Sequence, residues 1–169
     1  MVKKYTIGAN RSVSVRKQDG DFVITIAEDS TNKSATFTAK RWNQFVKVID
    51  QVDESLKETL KNQYVKLNLH VGGKWNVSVT TGFKCVDIRQ FYFNPTIQEP
   101  KPTKKGIALR LDEWNTLKAV VPQIYQTFPA IQQASTCSSQ PDHYNQEGAW
   151  MCPECSPYAM EEVFYSMTS

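Results

Sequence analysis

Ser12-Val13-Ser14-Val15-Arg16-Lys17-Gln18-Asp19-Gly20-Asp21-Phe22-Val23-Ile24-Thr25-Ile26 is the stretch that decides the fold. Val13 and Val15 alternate with Ser and Arg, and Phe22, Ile24 and Ile26 alternate with Val and Thr. A period of two marks strands with one buried face. Asp19-Gly20 between them signals a tight hairpin. Ala35-Thr36-Phe37 reads as one more short strand. The period then changes. Trp42, Phe45, Val46, Ile49, Val52, Leu56 and Leu60 fall three and four residues apart, which predicts an amphipathic helix with Thr38 as its N-cap.

The same order recurs downstream. Tyr64 to Leu69 and Trp75 to Val79 read as strands, Thr81-Gly82 as a turn, and Phe83 to Arg89 as the next strand. Ile107 to Leu109 is a short strand, and Asp112 caps a helix carrying Trp114, Leu117, Val120, Val121 and Ile124. Pro122 should kink or shorten that helix. Letters repeat as well: Ser12-Val13-Ser14-Val15 matches Asn76-Val77-Ser78-Val79, and Arg41-Trp42-Asn43-Gln44-Phe45 matches Glu113-Trp114-Asn115-Thr116-Leu117. Both tryptophans read first as core. A period of about 70 residues is too long for a solenoid and indicates a duplicated domain. Each copy is small for an independent core, so the two should pack together. The expected division is residues 1–62, 63–130 and a tail, 131–169.

The copies differ in their last loop. In the first, Ala27 to Ser34 is short and has no aromatic residue. In the second, Gln90-Phe91-Tyr92-Phe93-Asn94-Pro95 leads on to Lys101-Pro102-Thr103-Lys104-Lys105-Gly106. Aromatic faces that stack on bases and cations that follow phosphates are what single-stranded nucleic acid requires. The plainer alternative is that the aromatics fill core and the lysines keep a loop soluble.

Charge is distributed in the same sense. Residues 1–130 hold all 20 basic residues, while the tail has no Lys or Arg but carries Asp142, Glu147, Glu154, Glu161 and Glu162. A basic body attracts polyanions. No apolar run approaches the roughly 20 residues of a membrane span. The basic start, Met1 to Tyr5, is followed by no apolar stretch, so neither a secretory signal nor a membrane partner is expected.

At these residues the chain resembles the single-stranded-DNA-binding domain of the transcriptional coactivator family called positive cofactor four. In the first copy the resemblance rests on Tyr5-Thr6-Ile7-Gly8, Ser12-Val13-Ser14-Val15-Arg16, Gly20, Phe22-Val23-Ile24-Thr25-Ile26 and Trp42. In the second it rests on Asp87-Ile88-Arg89-Gln90-Phe91-Tyr92, Asn94-Pro95, Lys101-Pro102, Lys104-Lys105-Gly106-Ile107-Ala108-Leu109 and Trp114. The resemblance spans roughly residues 5–60 and 64–128. It implies an α+β fold of two four-stranded antiparallel sheet-plus-helix modules, paired through their helices as an intrachain pseudo-dimer. It also implies a nuclear, non-enzymatic protein whose partners are single-stranded DNA and transcription machinery, monomeric if the pairing is internal. The nucleic-acid-binding residues expected are Arg16, Lys84, Arg89, Phe91, Tyr92, Lys101, Lys104 and Lys105. The carry-over is uneven. Thr80 and Ala27 each stand where the family has an arginine, Lys33 alone replaces a basic pair, and Gln18 and Asp19 replace an aromatic and a lysine. The first copy is therefore expected to be mainly structural.

Cys137, His143, Cys152 and Cys155 give a C-x5-H-x8-C-x2-C pattern in a polar stretch. Zinc favours tetrahedral sulfur and nitrogen sites of this kind, with ligands at about 2.0–2.3 Å. A redox Cys-x-x-Cys pair, or a tail of thiols without metal, are the alternatives. Cys85 lies in an apolar strand pattern and reads as a buried thiol. His70 reads as structural, and no P-loop, nucleophile elbow or carboxylate–histidine constellation is present. The rival to strand binding is a protein-interaction module with a decayed nucleic-acid surface.

Overall fold

The computed structural model describes residues 2–136, 152 and 154–158. Its first half runs β1 (Val2–Thr6), β2 (Arg11–Gln18), β3 (Asp21–Glu28), β4 (Ser34–Thr38), α1 (Ala39–Lys47) and α2 (Ile49–Leu60). Its second runs β5 (Lys66–Gly72), β6 (Trp75–Thr80), β7 (Cys85–Asn94), β8 (Glu99–Arg110), α3 (Leu111–Thr127) and α4 (Pro129–Gln132). Each set of four strands forms its own antiparallel meander, β1-β2-β3-β4 and β5-β6-β7-β8. No described helix is long and apolar enough to cross a membrane.

Alternation sorts the faces. Val13 pairs with Ile26 and Val15 with Ile24, and all four are fully buried. Asp19 and Gly20 both take positive φ, 53° and 84°, the two-residue turn whose twist matches the flanking strands. In the second sheet Val77, Val86, Ile88, Ile107 and Leu109 fill the same role.

The helices join the halves. Thr38 caps α1, its hydroxyl accepting from Arg41 N at 3.3 Å. The expected single helix is broken at Val48, whose N–H turns back to Phe45 O. The break redirects the apolar face: α1 lies between β3 and β4 of its own sheet and β5 of the other, while α2 lies on β6 and β7 of the other. In return α3 reaches β2 as well as β7 and β8, and β4 runs beside β8. Buried side chains from both halves form one cluster. Phe45 links the tryptophans, 5.5 Å from Trp42 and 6.1 Å from Trp114 between ring centroids.

Three local expectations are corrected. Helix α3 runs through Pro122 to Thr127, because Pro122 lies on the exposed face while Leu117, Val120, Val121 and Ile124 hold the other face in the core. Its N-cap is Arg110, not Asp112; Glu113 Oε1 accepts from Arg110 N at 2.9 Å, and Asp112 falls in the first turn. Residues 90–106 are not a loop but a two-stranded arm, in which Tyr92 faces Lys101 and Phe91 faces Pro102. Pro100 and Pro102 are tolerated because β8 is the last strand of its sheet.

Asp53 on α2 ties the halves electrostatically. It accepts from Trp114 Nε1 at 3.2 Å and from Lys118 Nζ at 2.6 Å, and Lys57 lies 3.3 Å away. The Lys118 hydrogen bond is the chief cause that holds its carboxyl below the ordinary 3.8. A depressed carboxyl stabilises the fold above its unfolded value and loses that contribution as pH falls through the folded one. Asp53→Asn should therefore lower stability at neutral pH by about 1–3 kcal/mol. Denaturant titrations at stepped pH should show the gap from wild type closing below 3.8. A gap that persists in acid contradicts the ionic account.

Candidate nucleic-acid interface

The second sheet turns its outer face to solvent along β6 and β7. Ser78 pairs with Asp87 and Asn76 with Arg89, so alternate residues on both strands point outward. Between them lies a shallow cavity of about 300 Å³, lined by Ser78, Thr80, Phe83, Cys85, Asp87, Arg89 and Ala108. Burial first, and then the charge of Asp87, push the Cys85 thiol up, which keeps it neutral.

Arg89 is the centre of this face. Nε and Nη2 take the Asp87 carboxylate at 3.0–3.2 Å, and Nη1 donates to Thr103 O at 3.1 Å. Its fork is thus shared with an internal carboxylate, and its remaining N–H edge must serve any phosphate. The Thr103 contact also fixes the foot of the arm. Thr103 Oγ1 donates to Gln90 O at 2.7 Å and accepts from Lys105 N at 3.1 Å. Gly106 lets β8 pass close to β7: a Cβ there would lie 2.5 Å from Ile88 O. This packing presents Lys104 and Lys105 as exposed neighbours, and neither forms an ion pair among the described residues.

Along the arm the three aromatics separate. Tyr92 is 44 % exposed, with Lys101 directly across from it. Lys101 itself is held by Glu99 at 2.9 Å. Phe91 is half-buried, and Phe93 is buried against Tyr158. Of the expected residues, then, Arg89, Phe91, Tyr92, Lys101, Lys104 and Lys105 stand on one hairpin, and Lys84 is exposed just before β7. Arg16 is not brought to them. It is exposed on the first sheet, opposite Val2 and Val23.

Phe83 was missed, because it read as the start of a strand. It sits in the turn before β7, 66 % exposed at the lip of the cavity. An aromatic between Gly82 and Lys84, in a turn with nothing to bury it, was the available signal. Of the expected zinc ligands, Cys137 and His143 lie outside the described residues. Cys152 and Cys155 are half-buried around a turn in which Ser156 N donates to Cys152 O at 2.8 Å.

Most of this sheet, the arm and the start of the following helix fall within a stretch similar to a coactivator family. Residues 73–120, within this second module, match the family described as "Transcriptional Coactivator p15 (PC4)". Similar to the chain is a Caenorhabditis elegans protein named "Putative RNA polymerase II transcriptional coactivator". The two are 31 % identical over 80 residues, covering 47 % of this chain and 62 % of that protein. The chain thus spans less than two thirds of that relative. No solved structure matches the chain.

Proposed function

We propose that the chain binds single-stranded nucleic acid, DNA foremost, as a non-enzymatic transcription cofactor acting in the nucleus with the transcription machinery. The observation that carries this reading is the β7–β8 arm. One paired element holds an exposed aromatic at Tyr92, Lys101 beside it, and two exposed lysines at its foot. Stacking needs the first and phosphate neutralisation the others. Phe83 and Lys84 extend the same chemistry to the far end of β7.

The shared core and exchanged helix contacts support an intrachain pseudo-dimer with unequal faces. Where the second sheet has Arg89 the first has Ala27, and where the second has Asp87 the first has Thr25, in a row of hydroxyls with Ser14 and Thr36 across β2, β3 and β4. The first sheet's outward cations are Arg16 at one corner and Lys4, which lies across from Ser14 and pairs with Asp29. The first module is thus chiefly a platform for the second. The acidic tail suits zinc at Cys137, His143, Cys152 and Cys155, a reading supported by the Cys152–Cys155 turn and tested by the metal content of the purified chain.

Engagement of Arg89 by Asp87 favours a second reading, a protein-docking sheet. Anisotropy titrations against a labelled oligothymidylate and a duplex of equal length, at two salt concentrations, decide between them. Strand binding predicts preference for the unpaired oligomer and weakening with salt. Tyr92→Ala should cost about 1–3 kcal/mol of that binding. Preference for duplex, or no binding at low salt, refutes it.

A further inference from the structure

Residues 154–158 lie against the tip of the β5–β6 hairpin. The Glu154 carboxylate accepts from Arg41 Nε at 2.8 and 3.1 Å and also pairs with Nη2. Its backbone carbonyl accepts from Gly73 N at 3.1 Å. Four residues on, the Tyr158 ring lies 6.2 Å from Phe93 at an interplanar angle of 32°, and Lys74 Nζ stands 5.6 Å from its centroid. The hairpin tip is shaped around the arginine. Gly72 and Gly73 take φ of +117° and +56°. A Cβ on Gly73 would lie 2.6 Å from Arg41 Nη2, and one on Gly72 would lie 2.8 Å from both Arg41 Cγ and Glu154 Oε2.

The two contacts have a common meaning. A guanidinium fork that takes two oxygens of one anion suits phosphate as well as carboxylate. A flat ring against an aromatic side chain, with a cation near its face, is how a base of a single strand is held. Both elements border the arm. The Lys74 carbonyl accepts from Phe91 N at 2.8 Å, and Phe93 follows Tyr92. The Arg41 and Glu154 side chains are 26 % and 28 % exposed. The pair is therefore within reach of water, and a competing anion can displace it.

We propose that Arg41, Lys74 and Phe93 form one further nucleotide subsite, for a phosphate and a stacked base of a single strand, and that Glu154 and Tyr158 occupy it as an autoinhibitory clasp. Glu154 stands in for the phosphate and Tyr158 for the base. The inference rests on the single-strand reading above. Strand and clasp then compete, and Glu154 and Tyr158 lower affinity at residues other than Lys104 and Lys105.

The test uses full-length chains and anisotropy against labelled oligothymidylate at one salt concentration. E154Q/Y158A should bind more tightly than wild type, about tenfold if the clasp is closed nine-tenths of the time. Glu161→Gln, which removes one tail charge elsewhere, sets the purely electrostatic baseline. Adding R41A to E154Q/Y158A should remove most of the gain, because the freed arginine is what the strand uses. A gain no larger than that of Glu161→Gln overturns the clasp, and a gain that survives R41A overturns the subsite. If neither wild type nor E154Q/Y158A binds unpaired strands at low salt, the single-strand reading falls, and the clasp with it.

Discussion

Trp114→Ala should lower the unfolding free energy by about 3–5 kcal/mol, the range for deleting a fully buried aromatic side chain. Its ring is fully buried and meets Phe45 edge-on. The loss is felt in both halves, because Phe45 belongs to α1 and the Nε1 partner, Asp53, to α2. Trp42 is equally buried, but its Nε1 has no hydrogen-bond partner among the described residues. The milder changes should therefore differ. Trp114→Phe strips Asp53 of a donor, whereas Trp42→Phe removes a polar atom that was already unpaired. Urea titration should rank Trp114→Phe as the more damaging. Each variant should still unfold in a single transition, since one cluster spans both halves. Two separate transitions, with only one moved by Trp114→Ala, would show that the halves have independent cores.

What the letters disclosed follows their range of interaction. Val13, Val15, Ile24 and Ile26 alternate over neighbouring positions, and Asp19-Gly20 joins them by a local turn, so strands and register were legible. Thr38 caps through a contact three residues away, equally local. The arm was not legible as strand, because Pro100, Pro102 and three lysines hide its alternation; its pairing is supplied by β7. The helix break at Val48 was hidden for another reason. Val46, Ile49 and Val52 continue the apolar stripe across it, and the strands that α2 packs on, β6 and β7, are distant in sequence. In the interface, residue types were legible and their partners were not. Arg89 was visible as a strand cation, but its fork on Asp87 depends on the direction of two side chains. The Arg41–Glu154 pair joins residues 113 positions apart, a separation no periodicity reports.

K104A/K105A should weaken oligothymidylate binding roughly tenfold or more at about 0.1 M salt, with a shallower salt dependence. The reasoning is electrostatic. Each phosphate contact on a single strand contributes about 0.7 to the slope of log affinity against log salt, so two lost contacts flatten it by about 1.4. Both lysines are exposed at the foot of a braced arm, where Arg89 and Thr103 hold the backbone and no carboxylate competes among the described residues. Lys33 occupies the corresponding turn of the first module but in different company. Glu28 and Asp29 precede it there, and Glu28 Oε2 accepts from Thr31 Oγ1 at 2.8 Å. A phosphate approaching Lys33 would meet those carboxylates, so Lys33→Ala should change affinity and slope much less. Since both changes lie at the surface, thermal unfolding should leave all three chains alike and assign any difference to binding. An effect of Lys33→Ala equal to or above that of the double change would move the principal site to the first sheet, with Arg16 as its cation.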